Sequence, residues 1–119
     1  MKIAVTSQGT DLDAQVDQRF GRAAHILVVD PETYEFEVLD NSENVNSFKG
    51  AGINAAVMVS GKGAEVLITG YCGPNAFKTL DAAKVKVSND AKGTVRETVS
   101  AFAAGECKFV DGANVDGHW

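Results

Sequence analysis

Two short stretches combine backbone freedom with groups that attract anions. Phe48-Lys49-Gly50-Ala51-Gly52 and Gly70-Tyr71-Cys72-Gly73 each set glycines directly ahead of a segment that reads as a helix. Glycine lets the main chain come close to a ligand. The first turn of a helix presents N–H groups carrying a partial positive charge. A third stretch, from Thr6-Ser7-Gln8-Gly9 to Phe20-Gly21-Arg22, brings Arg19 and Arg22. The chemistry these groups support is retention of an anion. Arg19, Arg22 and Lys49 would supply charge, and Gly50, Gly52, Gly70 and Gly73 close backbone approach. Ser7 and Asn75 would add polar contacts, and Cys72 is a candidate thiolate contact. Each part alone has a plainer reading. Glycines make tight turns, an isolated Cys72 is by type a small core residue, and the arginines are surface charges. Only their convergence points to a site.

Other reactive residues form no familiar pattern. Cys72, Cys107, His25 and His118 are four soft donors whose spacing matches no zinc motif. His25 opens an apolar strand and reads as structural. His118 sits beside Trp119 in the tail, where a loose end is the plain reading and a metal ligand the remote one. There is no GxxxxGK[ST] and no GxSxG, and GAGINAA lacks the third glycine of GxGxxG. The first strand carries no aspartate, which argues against a two-metal nuclease. With no base–nucleophile pair in view, the chain reads as a binder rather than an enzyme.

The elements that must position these groups follow from periodicity. KIAVTS (2–7) reads as a short buried strand, HILVVD (25–30) as a second apolar strand, and AEVLIT (64–69), apolar throughout its centre, as a strand buried on both faces of a sheet. Residues 8–24 are polar and aperiodic, a long loop with room for a helical turn. Asp30-Pro31-Glu32-Thr33 is turn chemistry. It leads into YEFEVL (34–39), where Tyr34, Phe36 and Val38 alternate with Glu35 and Glu37, a half-buried strand at or near an edge. A helix is expected over 53–63, with Ile53, Ala56, Val57 and Ser60 on one face. A second helix is expected over 73–83, with Pro74 at its first position. KVKVS (84–88) is a fifth strand, and a third helix runs over 94–105 with a Thr94/Glu97 capping box.

A β–β–β–α–β–α–β–α order implies a mixed five-stranded α/β sheet in the order 3-2-1-4-5, with strand 2 antiparallel and three helices against it. Strands 1 and 4 then flank a topological switch point, where ligands of open α/β sheets bind. All three stretches should meet there.

Bulk properties bound the rest. At 119 residues the chain is one domain with one core. A net charge of −5 speaks against general nucleic-acid binding. No apolar run approaches the ~20 residues of a membrane span. MKIAVTSQG is no secretory signal, so the cytoplasm is the expected compartment and both cysteines are expected as thiols.

VDQRFGRAAHILVVD (16–30), FKGAGINAAVMV (48–59) and VLITGYCGPNAFKTLDAAKVKV (66–87), in this order, resemble the NifX/NifB-type domain family of dinitrogenase iron–molybdenum cofactor biosynthesis. The resemblance covers roughly residues 1–106, implying a single cluster-binding domain followed by an irregular tail, 107–119. It implies a ribonuclease H-like sheet and a non-catalytic role in binding or carrying anionic metal–sulfur clusters. In the orange-protein branch of sulfate reducers, which the chain's length also resembles, that cluster is a molybdenum–copper sulfide held non-covalently. Cluster-donor or acceptor proteins are the implied partners. The chain departs from the family pattern at Lys49, where a second glycine is common, and at Cys72, where an apolar or small residue is common. Readings from other classes are a regulatory or protein-interaction module of the same fold and a small-anion or nucleotide-binding enzyme.

Overall fold

Uninterrupted β-branched and aliphatic runs need cover on both sides, and the fold supplies it with helices on each face of one sheet. The computed structural model describes residues 1–42, 50–89 and 91–110. In chain order the elements are β1 (Ile3–Ser7), β2 (His25–Val29), β3 (Phe36–Asp40), α1 (Ala51–Gly61), β4 (Val66–Ile68), α2 (Pro74–Ala82), β5 (Lys86–Ser88) and α3 (Val95–Ala103). The sheet order is β3-β2-β1-β4-β5, as the element order implies. β1 pairs antiparallel with β2 (Ile3 opposite Val29, Ser7 opposite His25) and parallel with β4 (Val5 beside Ile68). β3 pairs antiparallel with β2, and β5 parallel with β4.

The single core expected from length is divided by the sheet into two, one on each face, because successive side chains along a strand point to opposite sides. Ala4, Ile26, Val28, Leu39, Leu67 and Val87 pack on the α1/α2 side. Ile3, Val5, Leu27, Val29, Val66 and Ile68 pack under Val95 and Val99 of α3. The capping box of α3 is present as read: the Thr94 hydroxyl accepts the Glu97 N–H, and the Glu97 carboxylate accepts the Thr94 N–H.

Three local expectations are corrected. First, α1 begins at Ala51, and its buried face is Ala51, Ala55, Ala56 and Val59; Ile53 and Val57 are exposed. The helix is apolar almost all round, so periodicity does not single out a face, and close packing on the sheet selects the alanines. Second, β3 starts at Phe36. Tyr34 lies before it with φ 63°, in the turn closed by its N–H to the Asp30 carbonyl at 2.8 Å. The expected face is not the buried one: Phe36 and Val38 stay 40% and 37% exposed, and the buried residue of β3 is Leu39, on the face that carries Glu37. α3 packs over β1, and among the described helices none covers the edge strand. Third, residues 8–24 are more than a loose loop: Ser7 bridges Val16, Gln15 bridges Thr94 and Arg19 bridges Tyr71.

The first residues of the tail run along the outer edge of β5. The Val110 N–H donates to the Val87 carbonyl at 2.9 Å, and Phe109 meets Phe102 edge-on at 6.5 Å. Among the described residues no helix is long and apolar enough to cross a membrane.

Candidate functional site

The crevice between the carboxyl ends of β1 and β4 is filled by the chain itself. The Asp17 N–H donates to the Thr6 carbonyl at 2.9 Å, and the Thr6 hydroxyl donates to the Asp17 carbonyl at 2.6 Å. One residue further on, the Tyr71 N–H donates to the Gln18 carbonyl at 2.6 Å, and the Phe20 N–H to the Tyr71 carbonyl at 3.1 Å. Residues 17–20 are therefore hydrogen-bonded to both strand ends. Below them the Thr6 and Thr69 hydroxyls meet at 2.9 Å, fully buried. The Gln18 side-chain amide reaches across to the Ala91 carbonyl at 2.9 Å. This explains Gly70 without a ligand: a Cβ there would lie 2.7 Å from the Gln18 carbonyl oxygen and 2.8 Å from its Cα.

With the crevice closed, the groups that could attract an anion lie on the α1/α2 side of the same edge. Buried Phe20 anchors the loop, and Gly21 presses on the first turn of α1. A Cβ at Gly21 would fall 2.6 Å from the Gly52 nitrogen and 2.8 Å from its Cα. The buried Asn41 amide holds this turn from behind, donating to the Ala23 carbonyl at 2.8 Å and the Gly21 carbonyl at 3.3 Å. Arg22 is left half-buried, and Arg19 exposed, its own N–H on the Asp17 carboxylate at 3.1 Å.

Next to this turn two helices begin side by side. Gly50 is the N-cap of α1, in the left-handed region at φ 81°, and Gly73 is the N-cap of α2, with Pro74 next. Neither helix has a side-chain cap, in contrast to α3. A Cβ on Gly52 would come within 3.1 Å of the Ala76 Cβ, so the two first turns touch. The first turns of two helices, which no side chain caps, thus lie side by side next to the turn that carries Arg19 and Arg22, an arrangement that favours an anion. Asn75 is exposed in the first turn of α2. No group of three or more His, Cys, Asp or Glu among the described residues is placed to hold a bare metal ion. The donors here suit an anionic shell rather than a naked cation.

Several expected residues stand elsewhere. Ser7 lies on the α3 side of β1 by strand alternation, its hydroxyl donating to the Gly9 carbonyl at 2.9 Å and accepting the Gly9 N–H at 3.1 Å. Cys72 is fully buried in the α1/α2 core, and burial pushes its thiol up to about 12. It fills core volume as a neutral thiol, 3.8 Å from the Gly73 carbonyl. His25 sits between Ser7 and Asp40 across the strands, its Nδ1 buried without a hydrogen-bond partner. Lys49 and His118 lie outside the described residues. Gln18 and Asn41 were missed by sequence reading, because a lone Gln or Asn in a polar loop has no pattern to mark it.

A family model for the dinitrogenase iron–molybdenum cofactor matches residues 1–105. Among solved structures, the chain is similar to the apo form of the orange protein from Desulfovibrio gigas, at 47% identity over 96% of both chains with a TM-score of 0.93. A Thermotoga protein described as a NifB candidate is 37% identical over 91% of both chains, TM-score 0.78. A dinitrogenase candidate from Methanocaldococcus jannaschii shares the fold at 16% identity, covering 94% of this chain and 96% of its own, TM-score 0.70. Comparison with curated protein sequences gave no match.

Proposed function

The chain belongs to the dinitrogenase iron–molybdenum cofactor family, and we propose that it binds an anionic metal–sulfur cluster as cargo and holds it without catalysing a reaction. The observation that carries this reading is the pair of touching, uncapped helix N-termini beside the Arg19–Arg22 turn. Sulfide-coated clusters are anionic, and backbone N–H groups with guanidinium charge stabilise them without a cage of covalent ligands. The cargo contains molybdenum, with copper or iron as its companion metal. The likeness to a protein described in an apo form, at 47% identity, supports a cargo-bound and a cargo-free state here too. Gly50, Gly52, Gly73 and Asn75 line the approach, and Lys49 adds charge. Cys72 stays in the core.

The test is loading. Metal-free protein mixed with tetrathiomolybdate and copper, or with an iron–sulfur precursor, develops visible charge-transfer bands and keeps its metal through gel filtration. Arg19→Ala with Arg22→Ala loses the bands, and Cys72→Ala keeps them. Retention of no cluster by the wild type would sink the reading.

Exposed Ile53 and Val57, one turn apart on α1, favour a second reading, a protein-interaction module of the same fold. It predicts a partner captured equally well by metal-free protein and lost with Val57→Glu. A partner that requires cluster instead makes the same ridge the docking surface for a cluster donor or acceptor.

A further inference from the structure

The two edges of the sheet are finished differently. At β5 the chain covers its own edge, where the Val110 N–H donates to the Val87 carbonyl. At β3 no described residue does so. The Asp30 N–H on the Glu35 carbonyl at 2.9 Å and the Asn41 N–H on the Ala24 carbonyl at 3.2 Å fix the parity of the β2–β3 ladder. Antiparallel strands alternate bonded and non-bonded pairs, so Glu35, Glu37, Leu39 and Asn41 turn their main-chain groups to β2. Phe36, Val38 and Asp40 turn theirs outward, and among the described residues no hydrogen bond satisfies those main-chain groups. The same residues include the exposed side chains of Phe36 and Val38. Proteins blunt such edges with proline, bulges or charged side chains. β3 has no proline, its pairing with β2 runs from Phe36 to Asp40 without a bulge, and Glu37 is already paired with Lys62 at 2.8 Å.

We propose that β3 is an interaction surface for a second copy of this chain, joined to it antiparallel and edge to edge. A register centred on Val38 sets Val38 of one copy opposite Val38 of the other and Phe36 opposite Asp40. Every outward N–H then meets an outward C=O. On the α3 side of the sheet, Phe36 and Val38 of both copies form one continuous apolar row. On the other face Glu37 comes opposite Leu39. The alternative register, centred on Glu37, sets two carboxylates face to face, which is unfavourable. With β5 covered by the tail, the contact uses the same edge on both copies and closes at a dimer instead of growing into a fibre. One strand edge offers far less area than the ~1,600 Å² of a standard stable interface. Association is therefore weak. Each chain carries a net charge of −5, so screening by salt tightens the contact. This inference is independent of cluster binding.

The test uses the full chain in reductant, so that free Cys107 forms no disulfide. Sedimentation equilibrium from about 10 µM to about 1 mM spans the range of weak association. The expected result is a reversible monomer–dimer equilibrium without larger species, tighter at about 0.5 M than at about 0.05 M NaCl. Val38→Lys changes an exposed side chain, and Val38→Pro removes an outward N–H that β2 does not use. Each weakens dimerisation by at least about tenfold, with two-dimensional NMR confirming that the fold is kept. Hydrogen exchange at the Val38 amide slows as concentration rises, while the Glu37 and Leu39 amides are protected throughout. Arg19→Ala/Arg22→Ala dimerises like the wild type. The proposal is overturned by a protein that stays monomeric over the whole range, which would leave the edge to a foreign strand. It is equally overturned by a dimer that Val38→Lys leaves unchanged or that salt weakens, or by a Val38 amide whose exchange ignores concentration.

Discussion

Gly21 and Gly70 are occupied by glycine because another stretch of backbone lies where a side chain would begin. Neither has a positive φ, so the constraint comes from the neighbour and not from the residue's own dihedrals. Gly21→Ala and Gly70→Ala should each cost about 1–3 kcal/mol by denaturant unfolding, the usual range for forcing a methyl into filled space. Gly61→Ala, where a Cβ meets nothing within 4 Å, is the neutral control. A Gly21→Ala protein as stable as the wild type would falsify the contact. Cys72 makes a pH prediction. Its thiol rises from 9.0 to about 12 through desolvation. Below pH 9 the thiol is neutral folded and unfolded, and its contribution is complete. Above it the unfolded thiol ionises first, so stability falls by at most about 1.4 kcal/mol per pH unit up to about 12. The stability advantage of wild type over Cys72→Ala should therefore shrink across that window. Parallel pH profiles would show that burial does not control this thiol.

Among elements, the contrast between capped and uncapped helices separates structure from function. Thr94→Ala removes the α3 cap and should lower stability by ~1 kcal/mol, leaving cluster retention unchanged. Gly73→Asp should do the reverse. The dihedrals of Gly73, φ −76° and ψ 170°, are open to any residue. A carboxylate at that N-cap satisfies the α2 N–H groups, changes stability by only a few tenths of a kcal/mol, and repels an anionic cargo. Equal retention by Gly73→Asp and wild type would mean that the α2 terminus does not face the cluster. The capping box was legible because a cap is a local bargain between residues three apart. The exposed side of α1 was not, because Ile53 and Val57 are as apolar as the residues buried opposite, and only the sheet decides which side it covers. β3 shows the same limit: its alternation is written in Phe36, Glu37 and Val38, whereas their exposure, with no helix among the described residues above them, is not.

For the molecule as a whole, the switch point is legible and its contents are not. Residues 17–20 come from a polar, aperiodic stretch, and they close the crevice that the strand order opens. Asn41 then transmits this closure to the site, since its amide pins the Gly21–Ala23 turn from 18 and 20 residues away. Asn41→Ala should cost about 1–3 kcal/mol, the range for leaving buried polar groups unpaired, and should lower cluster retention more than Thr94→Ala does. Similar retention in the two variants would show that the turn holds its shape without Asn41. By itself the sequence determined the element order, the sheet topology, the capping box and the glycine-rich turns before two helices. These depend on periodicity and on contacts between residues close along the chain. Only the tertiary structure decided that Gly70 yields to Gln18, that Ser7 and Cys72 turn away from the two uncapped helix ends, and that residues 17–20 fill the crevice. Those outcomes depend on which distant segments compete for the same space, and packing settles that competition only once the whole chain is in place.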